Sequence, residues 1–429
     1  MAQQMRQPML LCYSGNRATV LTTIKAGFMK VAIVHYWLVG MRGGEKVVEA
    51  LCGMFPQADI FTHVYVPEAV SEQIRRHKVT TTFIANLPRA PLWYKRYLPL
   101  MPLALEQLDL RGYDLVISSE SGPAKGIIPP ASAQHLCYCH TPMRYIWNMY
   151  HDYRQGAGWA TRHLMSPIAH YLRMWDVASA ARVDQFVANS RTVAARLRRY
   201  YGRQAPVIPP PVDVDAFKAV GERDLGDYML MVGELVAYKR PELAVEAFNR
   251  MGAKLVVIGG GEMLDQIRRL AGPTVTVMGP RSFDELRYHY AHCRALVFPG
   301  EEDFGIVPVE AMASGRPVIA FGRGGATETV IPNVSGILFE EQSVGSLTAA
   351  VRRCEETEFL PDRIVAHARR FSVERFVIDI GDEIDRLMET GAQDGSSEKG
   401  PTGAKGATAG DGRRAHAEFP KTAVHRETS

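Results

Sequence analysis

The stretch "EEDFGIVPVE" at 301–310 sets two carboxylates, Glu302 and Glu310, eight positions apart around an apolar segment that contains Gly305 and Pro308. Glycine and proline prevent one continuous helix through it. The preceding "ALVFPG" reads as a strand. The following residues read as a helix that starts near Val307 and closes at Gly315, a suitable place for a terminating glycine. Glu302 then lies in the loop at the strand's carboxyl end, and Glu310 in the first turn of the helix. The amides of Gly305, Ile306 and Val307 fall at the helix start, where unpaired donors and the dipole favour an anion. A carboxylate can accept two hydrogen bonds from a diol. One carboxylate near a ribose and one near a hexose, with phosphates between, would suit a sugar nucleotide. First-turn acids that only complement a helix dipole fit the same pattern. A glycosidase also uses paired carboxylates, but it does not account for anion-binding backbone between them.

Three further segments place chemistry at strand ends. "GELVAYKRPE" (233–242) sets Lys239 and Arg240 just before a helix opened by Pro241. A cation there can hold a diphosphate and stabilise charge on a leaving group, although a solvated basic pair has the same sequence. "VGMRGGEKV" (39–47) has Gly40, Gly43 and Gly44 after a strand and at a helix start, so its backbone can approach a phosphate or an acceptor closely. "CYCHTPMRYIWNMYHDY" (137–153) ends a strand at His140, which faces the expected cleft and suits a catalytic or sugar-contact role as well as a structural one. "VVIGGGEML" (256–264) is not G-x-G-x-x-G and is discounted as a dinucleotide fingerprint. Cys137 and Cys139 with one nearby His are too few ligands for zinc. No D-x-D stands at a strand end, since "DVD" (213–215) falls in a linker, so no metal is expected.

The elements that must position these groups alternate regularly. "VAIVHYW", "YDLVISS", "HLCYCH" and "DQFVANS" read as strands in a first unit, with "GGEKVVEALCGMF" and "RTVAARLRRYY" as helices. At 206 the texture changes: "PVIPPPVDVDAF" has four prolines in twelve residues and reads as an interdomain linker. Beyond it, strands "YMLMVGE", "KLVVIGG", "TVTVMG", "ALVFPG" and "PVIAFG" alternate with helices. Continuous apolar strands separated by helices predict a parallel sheet covered on both faces. Two α/β doubly wound domains are therefore expected, 29–205 and 206–371, with ligands at the carboxyl ends of the strands and in the cleft between domains. A last helix is read over 372–390. Residues 1–28 read as a poorly ordered extension ahead of Met29, and 391–429 as a disordered tail. The 429 residues are 46% hydrophobic and 22% charged, a globular composition, and a net charge of +4 is too weak to argue for nucleic acid. No apolar run reaches the roughly 18–20 residues of a membrane span.

Together these segments resemble the retaining GT-B glycosyltransferases of family-4 type (glycosyl transferases group 1). The motif E-x7-E runs from Glu302 to Glu310 within "EDFGIVPVEAMASGRPVIA" and continues into "GGATETVIPNVSGILF". The "GGEKV", "CHTPMRYIW" and "YKRPELAVEAF" versions look like bacterial O-antigen and exopolysaccharide mannosyltransferases, and the resemblance covers about 29–390. It implies a GT-B fold of two Rossmann-like domains facing across a cleft, with the last helix crossing back to the first domain. It implies that Glu310 binds the ribose hydroxyls and Glu302 faces the donor sugar. The backbone of Phe304, Gly305, Ile306 and Val307 would contact sugar and phosphate. Lys239 would hold the diphosphate, with Gly43 and Gly44 closing from the other domain. His140 would lie beside the sugar, and the base near Met278. Relatives often carry arginine where this chain has Glu234, so Arg240 is offered as the second cation, or Glu234 faces away.

The reaction so implied is hexosyl transfer from a nucleoside diphosphate sugar, GDP-mannose favoured, to a hydroxyl with retained configuration. With no obvious covalent nucleophile, the expectation is a front-face displacement in which the leaving diphosphate helps deprotonate the acceptor. No cofactor is implied. The acceptor is expected to be a glycan or a polyprenyl-linked glycan. "PRAPLWYKRYLPLMPLALEQL" (88–108) and "RLRRYYGR" (196–203) mix basic, aromatic and apolar residues in a way that suits an anionic lipid surface, or ordinary helices with a solvated face. The enzyme would sit in the cytoplasm, peripheral on the inner face of the plasma membrane. A sugar-nucleotide epimerase on the same fold and a catalytically silent nucleotide-binding module are the alternatives.

Overall fold

The computed structural model describes residues 29–156 and 158–397. The expectations for 1–28 and for 398–429 lie outside the described residues. Two six-stranded sheets form the frame. The first contains β1 Val31–His35, β2 Asp59–Thr62, β3 Val79–Thr81, β4 Leu115–Glu120, β5 Gln134–Cys139 and β6 Gln185–Ala188, in the order β3-β2-β1-β4-β5-β6. The second contains β7 Met229–Val232, β8 Leu255–Ile258, β9 Val275–Gly279, β10 Leu296–Phe298, β11 Val318–Phe321 and β12 Gly336–Phe339, in the order β12-β11-β10-β7-β8-β9. Their pairings are parallel. In each sheet the first strand in sequence lies beside the fourth. The chain therefore reverses its winding direction at β1/β4 and again at β7/β10, and such switch points open crevices at the carboxyl ends of the strands.

The strands read as continuous apolar runs because helices cover both faces. All five residues of β1 are buried. Six helices matter for the site: α1 Gly43–Met54, α2 Trp159–Ala180, α3 Arg191–Tyr201, α4 Pro241–Met251, α5 Ile306–Ala313 and α6 Val373–Ser397. In α1, Val47, Val48, Leu51 and Cys52 are buried at helical spacing, and the Glu45 carboxylate accepts the Arg42 amide at 3.0 Å before the first turn. Ser190 caps α3, its hydroxyl accepting the Val193 amide at 3.2 Å, and Gly202 (φ 66°) ends it. The last helix is longer than the 372–390 read from the sequence, since α6 runs on to Ser397. Its residues Phe376, Ile380, Ile384 and Leu387 are buried in the core of the first sheet. Each such burial contributes about 1.5–3 kcal/mol before entropy. The five described cysteines, Cys52, Cys137, Cys139, Cys293 and Cys354, are buried and unpaired.

Three strands, β2, β3 and β12, the 22-residue α2 and a 13-residue helix over Val344–Glu356 escape the sequence reading. β3 and β12 are outer strands of their sheets, and β3 is partly exposed over its three residues. In α2, Trp159, Leu164, Tyr171, Met174 and Val177 are exposed and Pro167 lies inside, so the apolar residues do not collect on one buried stripe.

Candidate active site

The two switch points face each other across a cavity of about 840 Å³. From the first domain it is lined by Arg42, Gly43 and Gly44 before and at the start of α1, by His140, Thr141, Arg144 and Tyr145 after β5, and by α2. From the second domain come Glu234, Tyr238, Lys239 and residues 302–307. The structure thus brings His140, Glu302, Lys239, Gly43, Gly44, Phe304, Gly305, Ile306 and Val307 to one cavity. Lys239 Nζ lies 2.8 Å from Glu302 Oε1. Burial alone would lower the Lys239 pKa. The Glu302 carboxylate, with Tyr238 next, reverses this, and the net direction is up. Gly305 (φ 88°) occupies the left-handed region that admits the turn into α5. The first amides of α5 have no intrahelical acceptors. A Cβ on Gly43 would stand 2.9 Å from the Ile306 side chain, so glycine lets the starts of α1 and α5 approach across the cleft.

Three expected site residues do not line this cavity. Glu310 falls in the second turn of α5, because the helix begins at Ile306. Its carboxylate accepts the Tyr290 hydroxyl at 2.7 Å. Burial raises its pKa, against the lowering effects of Tyr290 and of Lys46 on α1. Arg240 adopts φ 54° and turns sideways ahead of Pro241, bonding Glu242 at 2.6 Å and Gln342 at 3.5 Å. Met278 lies on the edge strand β9, two strands from β7, packed against the second-domain core. Glu234 does not face away: it lines the cleft, with Oε2 at 3.6 Å from Arg42 Nη1 of the opposite domain.

Residues 41–216 match the model of Glycosyltransferase Family 4, and residues 214–371 that of Glycosyl transferases group 1. The chain belongs to the GT-B glycosyltransferases of family-4 type. It is 33% identical over 230 residues to a D-inositol 3-phosphate glycosyltransferase of Geodermatophilus obscurus, covering 46% of this chain and 51% of that one. It is 31% identical over 239 residues to a GDP-mannose-dependent alpha-(1-6)-phosphatidylinositol monomannoside mannosyltransferase of Mycobacterium tuberculosis, covering 48% and 58%. The chain spans about half the length of the curated relatives it matches. Among solved structures it is similar to Anabaena HepE in complex with UDP (TM-score 0.62, 19% identity, 83% of this chain and 100% of that one). It is also similar to sucrose-phosphate synthase of Thermosynechococcus elongatus (TM-score 0.65, 21% identity, 84% and 100%).

This glycosyltransferase chain holds its domains together through residues that the sequence reading passed over. Asp303 pairs with Arg196 of α3, and its other oxygen lies 3.6 Å from Arg144 Nη1. Arg196 also donates to Thr141 Oγ1 at 3.1 Å. Glu328 reaches from the second domain to accept the amides of Arg191 and Thr192 at 2.8 and 3.1 Å, capping α3 from outside. The Gly325 amide donates to the Glu302 carbonyl at 2.7 Å, which ties the glycine-rich loop to the acidic one. Behind the cleft, fully buried Lys125 bridges Asp176 and Glu120, and burial raises the Glu120 pKa to about 7. Trp147 donates to Asp176 at 2.7 Å and stacks on Tyr200, which anchors the 140–147 segment. A signal for Arg196 existed. It lies three residues after buried Val193 and beside buried Leu197, on the face of α3 that turns inward. Most of "RLRRYYGR" is accordingly structural. Tyr201 bonds Asp176 and Arg203 bonds the carbonyls of Ala180, Val183 and Asp184, leaving Arg198 and Arg199 exposed.

Proposed function

We propose that the protein is a retaining hexosyltransferase. It moves a sugar, mannose from GDP-mannose favoured, from a nucleoside diphosphate sugar to a hydroxyl of a glycan or lipid-linked glycan in cell-surface polysaccharide synthesis. The observation that carries this reading is the pairing of Lys239 with Glu302 at the mouth of α5, opposite His140 and Arg42 of the other domain. On this reading Lys239 and the first amides of α5 take the diphosphate. They stabilise the charge that grows on it as the bond to the sugar breaks. Glu302 accepts from donor-sugar hydroxyls, and Glu310, half-buried outside the cavity lining, accepts from the ribose on the oxygen that Tyr290 leaves free. The acceptor hydroxyl attacks the anomeric carbon on the face that the diphosphate leaves, and its proton passes to the leaving phosphate oxygen. The chain supplies orientation and charge stabilisation.

The acceptor reading draws support from the same cavity, whose lining includes the apolar Leu98, Ile146, Met165, Ile168 and Leu172 together with Lys95 and Arg144. An amphiphile with a phosphate near its sugar fits that mixture. Peripheral attachment at the inner face of the plasma membrane is supported by the segment just outside it. There Leu92 is 77% exposed, Leu100 and Leu103 are exposed, and Trp93 lies between the guanidinium groups of Arg89 and Arg96. No helix among the described residues is long and apolar enough to cross a membrane.

The test incubates purified protein with GDP-mannose and lipid-linked acceptors and follows GDP release and product mass, with a panel of GDP- and UDP-sugars to fix the donor. Release that depends on acceptor and is lost in Glu302→Ala and Glu310→Ala supports the reading. Unchanged activity in both variants sinks the site assignment. Conversion of the donor without acceptor points to an epimerase, and binding without turnover to a silent module.

A further inference from the structure

A row of buried polar groups stands behind His140 at the β1/β4 switch point. His35 ends β1 and pairs in register with Ser119 of β4. Both side chains are fully buried. His35 Nδ1 lies 3.1 Å from Ser119 Oγ, and that oxygen lies 2.8 Å from His140 Nε2. At the far end His35 Nε2 has no hydrogen-bond partner and faces Glu45 Oε1 at 3.8 Å. Glu45 is 2% exposed, and its other oxygen holds the Arg42 amide. The row therefore runs from the first turn of α1 to the cleft.

With one proton on each imidazole, the proton of His35 sits either on Nε2, toward Glu45, or on Nδ1, away from it. A serine hydroxyl has one proton to give, a neutral imidazole one donor and one acceptor, and a carboxylate only accepts. If the row pointed away from Glu45, the bare lone pair of His35 Nε2 would face the carboxylate. Two acceptors would then stand against each other out of water, where repulsion is least screened. The opposite direction puts the His35 proton on Nε2, toward Glu45. Ser119 then donates to His35 Nδ1 and accepts from His140 Nε2–H. The remaining ring nitrogen of His140, Nδ1, keeps its lone pair. Among the described residues the hydrogen bond that the His140 ring makes is this one to Ser119 Oγ, and the ring lines the cavity.

We infer that Glu45, His35 and Ser119 are positioning residues that hold His140 as its Nε2–H tautomer, so that Nδ1 stands in the cleft as a hydrogen-bond acceptor for a substrate hydroxyl. Burial pushes the His140 pKa down to about 3, so the ring accepts a hydrogen bond without taking the proton. His140 then orients a hydroxyl, and the reaction's proton is left to the departing diphosphate. A neighbouring pair shows what a purely structural arrangement looks like. Ser118 Oγ lies 2.8 Å from His135 Nε2, and His135 Nδ1 ends on the Arg182 carbonyl at 2.9 Å, with no opening to the cleft.

The test labels the histidines of the full chain with ¹⁵N and reads the imidazole tautomers by long-range ¹⁵N–¹H correlation at neutral pH without substrate. His140 is assigned by its loss in His140→Gln. Wild type is expected to show the Nε2–H pattern at His140. Ser119→Ala is expected to show a mixture of tautomers and about tenfold lower kcat with little change in donor KM, the size of one oriented hydrogen bond. Ser118→Ala is expected to leave the His140 pattern in place. A proton on Nδ1 of His140 in wild type, or an unchanged pattern in Ser119→Ala, overturns the inference. The choice of Nδ1's partner rests on the transferase reading, but the tautomer is read in the unliganded chain. A failure of the transferase reading would appear separately, as wild type that releases no GDP in response to acceptor.

Discussion

Glu302→Gln is expected to tighten the binding of the nucleoside diphosphate product, although it removes a charged residue from the middle of the cleft. The Lys239 ammonium lies 2.8 Å from Glu302 Oε1, with 18% and 21% of the two side chains exposed. A diphosphate that takes Lys239 must first displace this carboxylate or share the ammonium with it. A hydrogen bond to a charged group contributes about 1.5–3 kcal/mol to stability. Partial exposure screens the pair, so the lower end applies. Returning about 1.4 kcal/mol to the incoming phosphate corresponds to about tenfold in Kd. The neutral amide that replaces the Glu302 carboxylate no longer competes as an anion, while its shape keeps the loop in place. The assay is calorimetric titration of wild type, Glu302→Gln, Lys239→Met and the double variant with GDP and UDP. The gain from Glu302→Gln should vanish when Lys239 is already methionine, which makes the coupling visible as a double-mutant cycle. An unchanged or weaker Kd in Glu302→Gln with Lys239 intact would refute the competition and with it the diphosphate role of Lys239.

Asp303→Asn leaves Arg196 and Arg144 without their counter-charge at 13% and 17% exposure, and should lower stability by about 3 kcal/mol, read from urea unfolding. An unshifted midpoint would show that the pair is not a strut. Glu328→Ala removes the external cap of α3, a loss of about 1 kcal/mol, and should speed hydrogen exchange at the amides of Arg191 and Thr192 about fivefold. Burial raises the Glu310 pKa, so on acidification nucleotide affinity should start to fall while the pH is still above the ordinary carboxylate range, and Glu310→Gln should remove that acid limb in a titration of Kd against pH. The sign for stability is opposite. With the folded pKa raised, the group's stabilising contribution is full below its unfolded pKa and is lost as pH rises through the folded one, so Glu310→Gln should melt no lower than wild type at neutral pH. With its pKa pushed down to about 3, His140 should add no inflection to kcat between about pH 5 and 8.

Much of this was legible in the sequence because it is local. The apolar strands and Pro241 at the first position of α4 are each decided by a few neighbouring residues. The partners that assemble the cleft are decided by two switch points brought face to face. Asp303 meets Arg196 from 107 positions away, and Glu328 meets Thr192 from 136. No periodicity reports such a distance. Glu310 was misplaced by one turn because a boundary error of one residue at the helix start, trivial for fold, decides which turn a carboxylate occupies. Arg240 was overvalued because a basic pair before proline says nothing about which of the two cations faces the cleft. The left-handed backbone at Arg240 decides that.

The cleft holds its cations against carboxylates in a graded series. Arg42 and Glu234 are 58% and 41% exposed at 3.6 Å, a pair that water and salt screen to about 0–1 kcal/mol. Lys239 and Glu302 are about one-fifth exposed. Arg196 and Asp303 are nearly enclosed, at 13% and 11%. Breaking an enclosed pair leaves a charge without solvent, so the cost rises along this series. An anion entering the cleft can therefore take Arg42 almost freely and Lys239 by competition, and cannot easily draw Arg196 from Asp303. The same chemistry, arginine or lysine on a carboxylate, thus divides by burial into an exposed, solvent-screened cation, an exchangeable one and a fixed strut between domains. Glu234 fits this division: it stations Arg42 of the opposite domain at the cleft.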